Sequence, residues 1–267
     1  MSKTIGFVIY DGPSLFDGKR IIVVANAFSR SKNKKTGKMV QTWVIPAACH
    51  PINAAQKGLD KSVCGSCKHR HFRSCYVNLM HGPVQVWKAW KVGRYPKVDY
   101  RKESTRALFA GRNVRVGSYG DPAAVPAEIW TSILSQAAGF TGYTHSWRQC
   151  KDYYKMFCMA SCDTLDDVKE AKARGWRPFY VMPEVSIPPK GFFTCPASKE
   201  GGKKTTCAKC NGCRGGIFDA KKLCPTIVAH GVSWKMLYFA KGMRLIKNHK
   251  KYAGVAWGNN GRGWCQK

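Results

Sequence analysis

Four cysteines late in the chain, Cys195, Cys207, Cys210 and Cys213, stand at gaps of eleven, two and two residues, and Cys224 follows beside Pro225. A two-residue gap lets both thiolates of a Cys-x-x-Cys turn reach one metal, because the intervening backbone can aim its N–H groups at the sulfurs. Consecutive two-residue gaps followed by a Cys-Pro pair echo the ligand run of an iron–sulfur cluster, although ten residues separate Cys213 from Cys224. Zinc takes the same four thiolates. The expectation is an iron–sulfur cluster or zinc, with free or disulfide-bonded thiols as the alternative.

A second group lies earlier: Cys49, Cys64, Cys67 and Cys75, with His50, His69, His71 and His81 among them. Cys64, Cys67 and Cys75 make three good ligands, and Cys49 or a histidine supplies a fourth. Three thiolates with one open position suit a reactive cluster, whereas a closed set of four suits structural zinc. The histidines read equally as metal ligands, as phosphate contacts or as bystanders.

The elements that must position these groups fall into two textures. The N-terminal third reads as strands at Ile5–Tyr10, Arg20–Asn26 and Met39–Ile45, separated by Asp-Gly turn signals and a basic loop. A helical pattern from Pro83 to Lys91 places Trp87 and Trp90 on one face, read as a core face. From Asn113 strands and helices alternate. Strands are expected at Val114–Ser118, Phe140–Thr144, Phe157–Ala160, Phe179–Val181 and Thr226–Ala229. Helices are expected through about Ala138 behind a lead-in from Asp121 to Pro126, after Trp147, from Leu165 to Arg174 behind a Thr164 cap, and from Ser233 to about Lys247. Such repeats imply right-handed crossovers and a parallel sheet. The fold class is therefore α/β: a parallel-sheet partial TIM-like barrel with a β-rich, cysteine-containing N-terminal region and a cysteine-rich metal-binding insertion. The corresponding division is 1–110, 111–232 and a basic aromatic segment, 233–267.

Sites on parallel sheets gather at the C-terminal ends of the strands. The residues placed there are Tyr119, Gly120 and Asp121, then His145 and Ser146, then Ser161, Cys162 and Asp163, then His230 and Gly231. His145 or His230 suits an acid, a base or a ligand, and Asp121 or Asp163 suits a proton acceptor or a substrate anchor. Tyr119 and Gly120 are cofactor contacts on this reading. The plainer alternative makes the two aspartates helix caps and His145 a satisfied core donor.

Charge narrows the partners. Lys and Arg number 45 against 15 Asp and Glu, a net charge of +30, and such self-repulsion points to a polyanion. Nucleic acid is favoured over an anionic membrane surface or a merely basic soluble protein. Seven of the fifteen acids lie between Asp121 and Glu170, and none follows Asp219. The cations cluster at Lys34 and Lys35, at Lys88, Lys91 and Arg94, and at Lys235, Lys241, Arg244, Lys250 and Lys251. The last group is interleaved with Trp234, Tyr238, Phe239, Tyr252, Trp257 and Trp264, a mixture suited to single-stranded or distorted nucleic acid. At 267 residues and 44 % hydrophobic the chain can bury a sizeable core. No apolar run reaches a membrane span and no leader pattern opens the chain, so a cytoplasmic setting with reduced thiols is expected.

Several short stretches occur together: Asn33-Lys-Lys-Thr-Gly37, Trp43-Val-Ile-Pro46, Cys75-Tyr76-Val77-Asn78, Gly120-Asp121 before a helix, and Tyr143-Thr144 at a strand end. In these the chain resembles a group of phage- and plasmid-encoded proteins without assigned activity. More distantly it is similar to phage proteins with a partial TIM-type barrel related to radical S-adenosylmethionine enzymes. The resemblance implies that Cys64, Cys67 and Cys75 ligate a cluster at the barrel mouth, with Asp121 and Thr144 at strand ends facing it. Cys64-x2-Cys67-x7-Cys75 departs from the Cys-x3-Cys-x2-Cys of those enzymes, and Cys158-x3-Cys162 supplies only half of it. S-adenosylmethionine is therefore implied less firmly than the barrel. The composite expectation is a metal-containing enzyme acting on nucleic acid. Its alternatives are a non-catalytic nucleic-acid binder held by structural zinc, and a phage protein that coats nucleic acid.

Overall fold

The computed structural model describes residues 5–27, 35–71, 73–184, 186–231 and 233–248. Lys34, Lys250 and Lys251 lie outside them. Nine strands form one sheet in the order β1-β2-β3-β4-β5-β6-β7-β9-β8. β1 (Phe7–Pro13), β2 (Arg20–Asn26) and β3 (Val40–Pro46) pair antiparallel. Every later pairing is parallel, through β4 (Asn113–Tyr119), β5 (Gly139–Thr144), β6 (Met159–Cys162), β7 (Pro178–Met182), β8 (Phe192–Thr194) and β9 (Cys224–Val228). The α/β expectation holds. The sheet is open, with β1 and β8 at its two ends. It also runs unbroken across residue 110, so the β-rich region and the parallel core share one layer.

Local chemistry explains the elements. The β2 run Ile21-Ile-Val-Val-Ala25 is buried throughout, as a strand covered on both faces requires. Between β3 and β4 lie five helices: α1 (Pro51–Gln56), α2 (Lys61–Cys64), α3 (Lys68–His71), α4 (Gly82–Lys91), the one expected from Pro83 to Lys91, and α5 (Glu103–Ala107). The stretch from Asp121 to Pro126 leads into the expected helix, which ends short of Ala138. A 3-10 turn spans Pro122–Ala124, Val125 is extended as the residue before Pro126 must be, and α6 runs over Ala127–Leu134. After Trp147 only a 3-10 turn forms, Asp152–Met156. The Cys158 N–H closes that turn on the Tyr154 carbonyl, so β6 starts at Met159 and not at Phe157.

Helix α7 (Leu165–Ala173) opens on a capping box in which the Thr164 hydroxyl accepts from the Asp167 N–H and the Asp167 carboxylate accepts from the Thr164 N–H. Ile129, Trp130 and Ile133 of α6 and Val168 and Ala171 of α7 belong to the main core with Val114 and Val116 of β4. Alternation along the strands turns Arg115, Thr141 and Tyr143 to the other face. There the chain between β7 and β9, including the one-turn helix α8 (Cys207–Cys210), packs against them. Helix α9 (Ser233–Asn248) has a separate small core of Phe239, Met243 and Ala229.

Candidate functional site

The chain from Asp60 to His69 lies across the strand ends and is tied to three of them. The Asp121 N–H beyond β4 donates to the Val63 carbonyl (2.6 Å), and the Ser66 hydroxyl donates to Gln149 beyond β5 (3.1 Å). Lys68 Nζ bridges Asp163 (3.0 Å) and Asp167 (3.3 Å) beyond β6. Gly65 makes the bend between α2 and Cys67 at φ +56°, and Arg70 clamps it by donating to the Gly65 carbonyl and to Asp60.

This route delivers His69 to the rim. Its Nε2 lies 3.1 Å from Asp163 Oδ2, and its Nδ1 lies 2.8 Å from the Ser74 hydroxyl. The His145 ring meets the His69 ring edge-on at 5.1 Å and pairs through Nε2 with the Ser161 hydroxyl at 3.1 Å. One ligand atom each from His69, His145 and Asp163 lie within 4.8 Å of one another, the group of this kind that the described residues form. Two atoms that each sit about 2.1 Å from one ion lie roughly 3 to 3.5 Å apart. The 3.1 Å His69–Asp163 distance therefore suits two ligands of one ion as well as a hydrogen bond. Asp163 is 3 % exposed, and its Oδ1 is buried with no hydrogen-bond partner among the described residues, so a cation would complete it.

The electrostatics agree. Burial alone would raise the Asp163 carboxyl, but the His69 and Lys68 charges overturn it and hold the group well below the carboxylate range. Burial, then the neighbouring His69, pulls the His145 ring down to about 4, so it is neutral at neutral pH, the form that ligates metal or accepts a proton. Lys68 does not cancel the site, because it is shared with Asp167.

The other expected rim residues take supporting places. Asp121 is buried, and its two oxygens accept from five donors: Thr144 Oγ1 (2.7 Å), the N–H groups of Ala123 (2.9 Å), His145 (2.9 Å) and Ser146 (3.2 Å), and Ser146 Oγ (3.3 Å). With its lone pairs taken, Asp121 fixes the backbone of His145 and does not reach a substrate. Thr144 is spent in the same knot. Gly120, at φ +77°, packs on Val44, whose Cβ would stand 2.6 Å from a Cβ added there, so it offers no cofactor surface. His230 is exposed, with Nδ1 3.0 Å from the Val228 carbonyl and its ring tilted against Tyr76, apart from the trio.

Cys64, Cys67 and Cys75 do converge beside the trio. Burial raises all three thiols, and each of Cys64 and Cys67 also feels Cys75. The His69 N–H donates to Cys67 and the Val77 N–H to Cys75, as in metal-binding turns. Tyr119 faces Cys64 and Cys75, and burial raises its hydroxyl well above the ordinary value. No three of these sulfurs reach the 4.8 Å spacing of the trio.

Helix α9 covers the rim. Phe239 stacks on the His69 ring at 5.5 Å, and Lys235 Nζ donates to the Val77 carbonyl beside Cys75 (2.9 Å). Its outer side exposes Trp234, Leu237, Tyr238 and Lys241. Elsewhere, Lys91 lies over the half-buried rings of Trp87 and Trp90 at 5.4 and 5.0 Å, while Lys88 and Arg94 are exposed. The Lys35 carbonyl accepts from the Cys207 N–H. Arg244 belongs to α9. No helix of the described residues is long and apolar enough to cross a membrane.

His69 was expected only as one of four histidines open to a fourth ligand place beside the cysteines, and Lys68 and Ser74 were not among the expected site residues. The one signal for His69 is its place two residues after Cys67, which anchors it next to a candidate ligand. Comparison with protein families, with curated proteins and with solved structures gives no match for this chain.

Proposed function

We propose that the protein binds nucleic acid and acts on it as a metal-dependent enzyme, with His69, His145 and Asp163 holding a divalent ion at the strand-end rim. The observation that carries this reading is the trio itself: three ligand atoms within 4.8 Å, from three separate segments, together with an Asp163 oxygen that is buried and unpartnered among the described residues. Two imidazoles and a carboxylate suit Zn²⁺, Mn²⁺ or Fe²⁺. When bound, such an ion supplies Lewis acidity toward a phosphate or carbonyl oxygen. Asp121 fixes His145, Ser74 orients His69, and Lys68 balances the carboxylates. Cys64, Cys67 and Cys75 offer soft donors for zinc or an iron–sulfur cluster alongside. Their spacing gives no support to S-adenosylmethionine.

Nucleic acid as the partner rests on the +30 charge and on the helix that roofs the site. Helix α9 turns Phe239 inward onto His69 and leaves Trp234, Tyr238 and Lys241 outward, rings and a cation of the kind that hold unpaired bases and phosphates. The sequential order from β3 to β7 supports reading the parallel part as an arc of a TIM-like barrel, a scaffold whose chemistry gathers at this edge.

The test uses protein purified without oxygen, with metal content and oligonucleotide affinity measured together. His145→Ala and Asp163→Asn should each lose the rim ion yet keep affinity for a single-stranded oligonucleotide. That affinity should fall at least about tenfold between 50 and 200 mM salt. Unchanged metal content in both variants, or affinity indifferent to salt, would defeat the proposal. A second reading has its own observation, the Ser74–His69–Asp163 hydrogen-bond chain at 2.8 and 3.1 Å. It makes the rim a metal-free acid–base relay, and activity that survives chelation would favour it.

A further inference from the structure

A cavity lies away from the rim, on the sheet face opposite α6 and α7. Cys195, Cys207, Cys210 and Cys213 all line it, and its remaining walls are carbon-rich: Phe193, Pro196, Ala197 and Pro225 among them. The chain is shaped to bring these four together. Cys195 follows β8, and its N–H continues the ladder to the Thr226 carbonyl (2.7 Å), while its own carbonyl accepts from the Ser198 hydroxyl (2.8 Å) and turns the chain back. The Cys207 N–H is pinned to the Lys35 carbonyl (2.8 Å). Helix α8 then makes its single turn, and Asn211 ends it in the left-handed region at φ 51°, which carries the chain through Gly212 to Cys213.

Burial holds these sulfurs as neutral thiols, and nearby donors and cations oppose it. Burial pushes the Cys213 thiol up to about 12, but the Tyr143 hydroxyl donates to its sulfur and works the other way. Burial raises Cys207 too, while the Arg115 guanidinium and Lys35 oppose that rise. Cys213 feels all three of the other cysteines and Cys207 feels Cys195 and Cys210, a mutual repulsion that a shared cation would relieve. All four are free cysteines. Tyr143 and Arg115 stand where the outer partners of a metal thiolate stand.

We infer that Cys195, Cys207, Cys210 and Cys213 form a structural zinc site that fastens the segment between β7 and β9 to the sheet. A soft four-sulfur set selects zinc or iron–sulfur chemistry. The four-cysteine lining, with carbon-rich walls close around it, favours a single small ion. No three of the sulfurs lie within 4.8 Å of one another, whereas four sulfurs about 2.3 Å from one ion lie roughly 3.8 Å apart. Zinc therefore deprotonates the thiols and draws the one-turn α8 inward.

The inference does not rest on the rim reading, and its test separates the two. Full-length protein is stripped with a chelator, reloaded with zinc alone, and alkylated under both conditions. Zinc should protect Cys195, Cys207, Cys210 and Cys213 at least about tenfold, as read by mass spectrometry, and this measurement needs no variant. Cobalt in place of zinc should give the intense thiolate-to-metal absorption of a four-sulfur site. Cys207→Ser and Cys213→Ser should abolish that band, and His145→Ala should leave it unchanged. Equal alkylation with and without zinc, a cobalt band that survives both serine variants, or bound iron with sulfide at these cysteines would overturn the assignment.

Discussion

The rim and the thiol cavity hold ligands in opposite ways. At the rim each ligand is already oriented by protein: His69 by Ser74, His145 by Ser161 and the Asp121 knot, Asp163 by Lys68. In the cavity Tyr143 stabilises Cys213, but the thiols stand too far apart to share an ion without moving. A preorganised site keeps its geometry whatever it binds, which is what chemistry requires. A site that closes around its ion turns binding free energy into folding free energy, which is what a staple requires.

The largest expected effect follows directly. Removing zinc from the cavity should forfeit much of the ~10–16 kcal/mol typical of structural zinc. Hydrogen exchange across residues 195–222 should then become fast while β2 to β6 stay protected. Uniform exchange behaviour after chelation would erase the contrast between the two regions.

The second effect runs the other way, through charge. Asp163→Asn leaves Lys68 half-buried with one carboxylate where it had two, and leaves His69 facing an amide. Breaking a buried pair on one side costs about 3–5 kcal/mol, and urea unfolding should read the lower part of that range, because Asp167 still holds Lys68 at 3.3 Å. A Lys68→Met background should shrink the penalty. If the two substitutions add without coupling, the rim is not wired as described.

A third effect tests the scaffold beneath the rim. Gly120→Ala places a Cβ 2.6 Å from Val44 Cβ and 2.7 Å from the Val44 carbonyl oxygen, at φ +77°. Strain and overpacking together should cost about 2–3 kcal/mol. The effect should appear in thermal unfolding while zinc in the thiol cavity is retained.

The same contrast governs how much of each region is legible in the amino-acid sequence. Cys207, Cys210 and Cys213 line one cavity because seven residues of local backbone carry them there, and spacing along a chain displays that. His145 and Asp163 are reachable at one remove, since alternating strands and helices in the sequence place them just past β5 and β6. His69 is not. It arrives on a four-residue helix between β3 and β4, and its site depends on Lys68 and Ser66 finding partners some ninety residues away. Asp121 shows the converse failure: the sequence marks a carboxylate at a strand end but not the five donors that consume it. β8, three residues long, has no period for a pattern to reveal.

The smallest effect concerns protons. In protein kept metal-free by chelator, the groups facing His145 are His69, Lys68, Asp163 and Asp167. Burial and the neighbouring His69 set its folded pKa at about 4, below the ordinary 6.5. Between those values the unfolded chain holds the extra proton and the folded chain does not, so stability must fall as pH falls through that window. Because the ring is partly exposed, about 1–2 kcal/mol is expected between pH 7 and pH 4.5. Asp163 contributes separately and lower, since a depressed carboxyl loses its stabilisation only below the unfolded value near 4. His145→Gln should flatten the upper window and leave the lower one in place, as urea midpoints at half-unit pH steps would show. A wild-type curve already flat from pH 7 to 4.5 would mean that His145 is not held neutral, and the rim would lose the property that most separates it from a surface cluster.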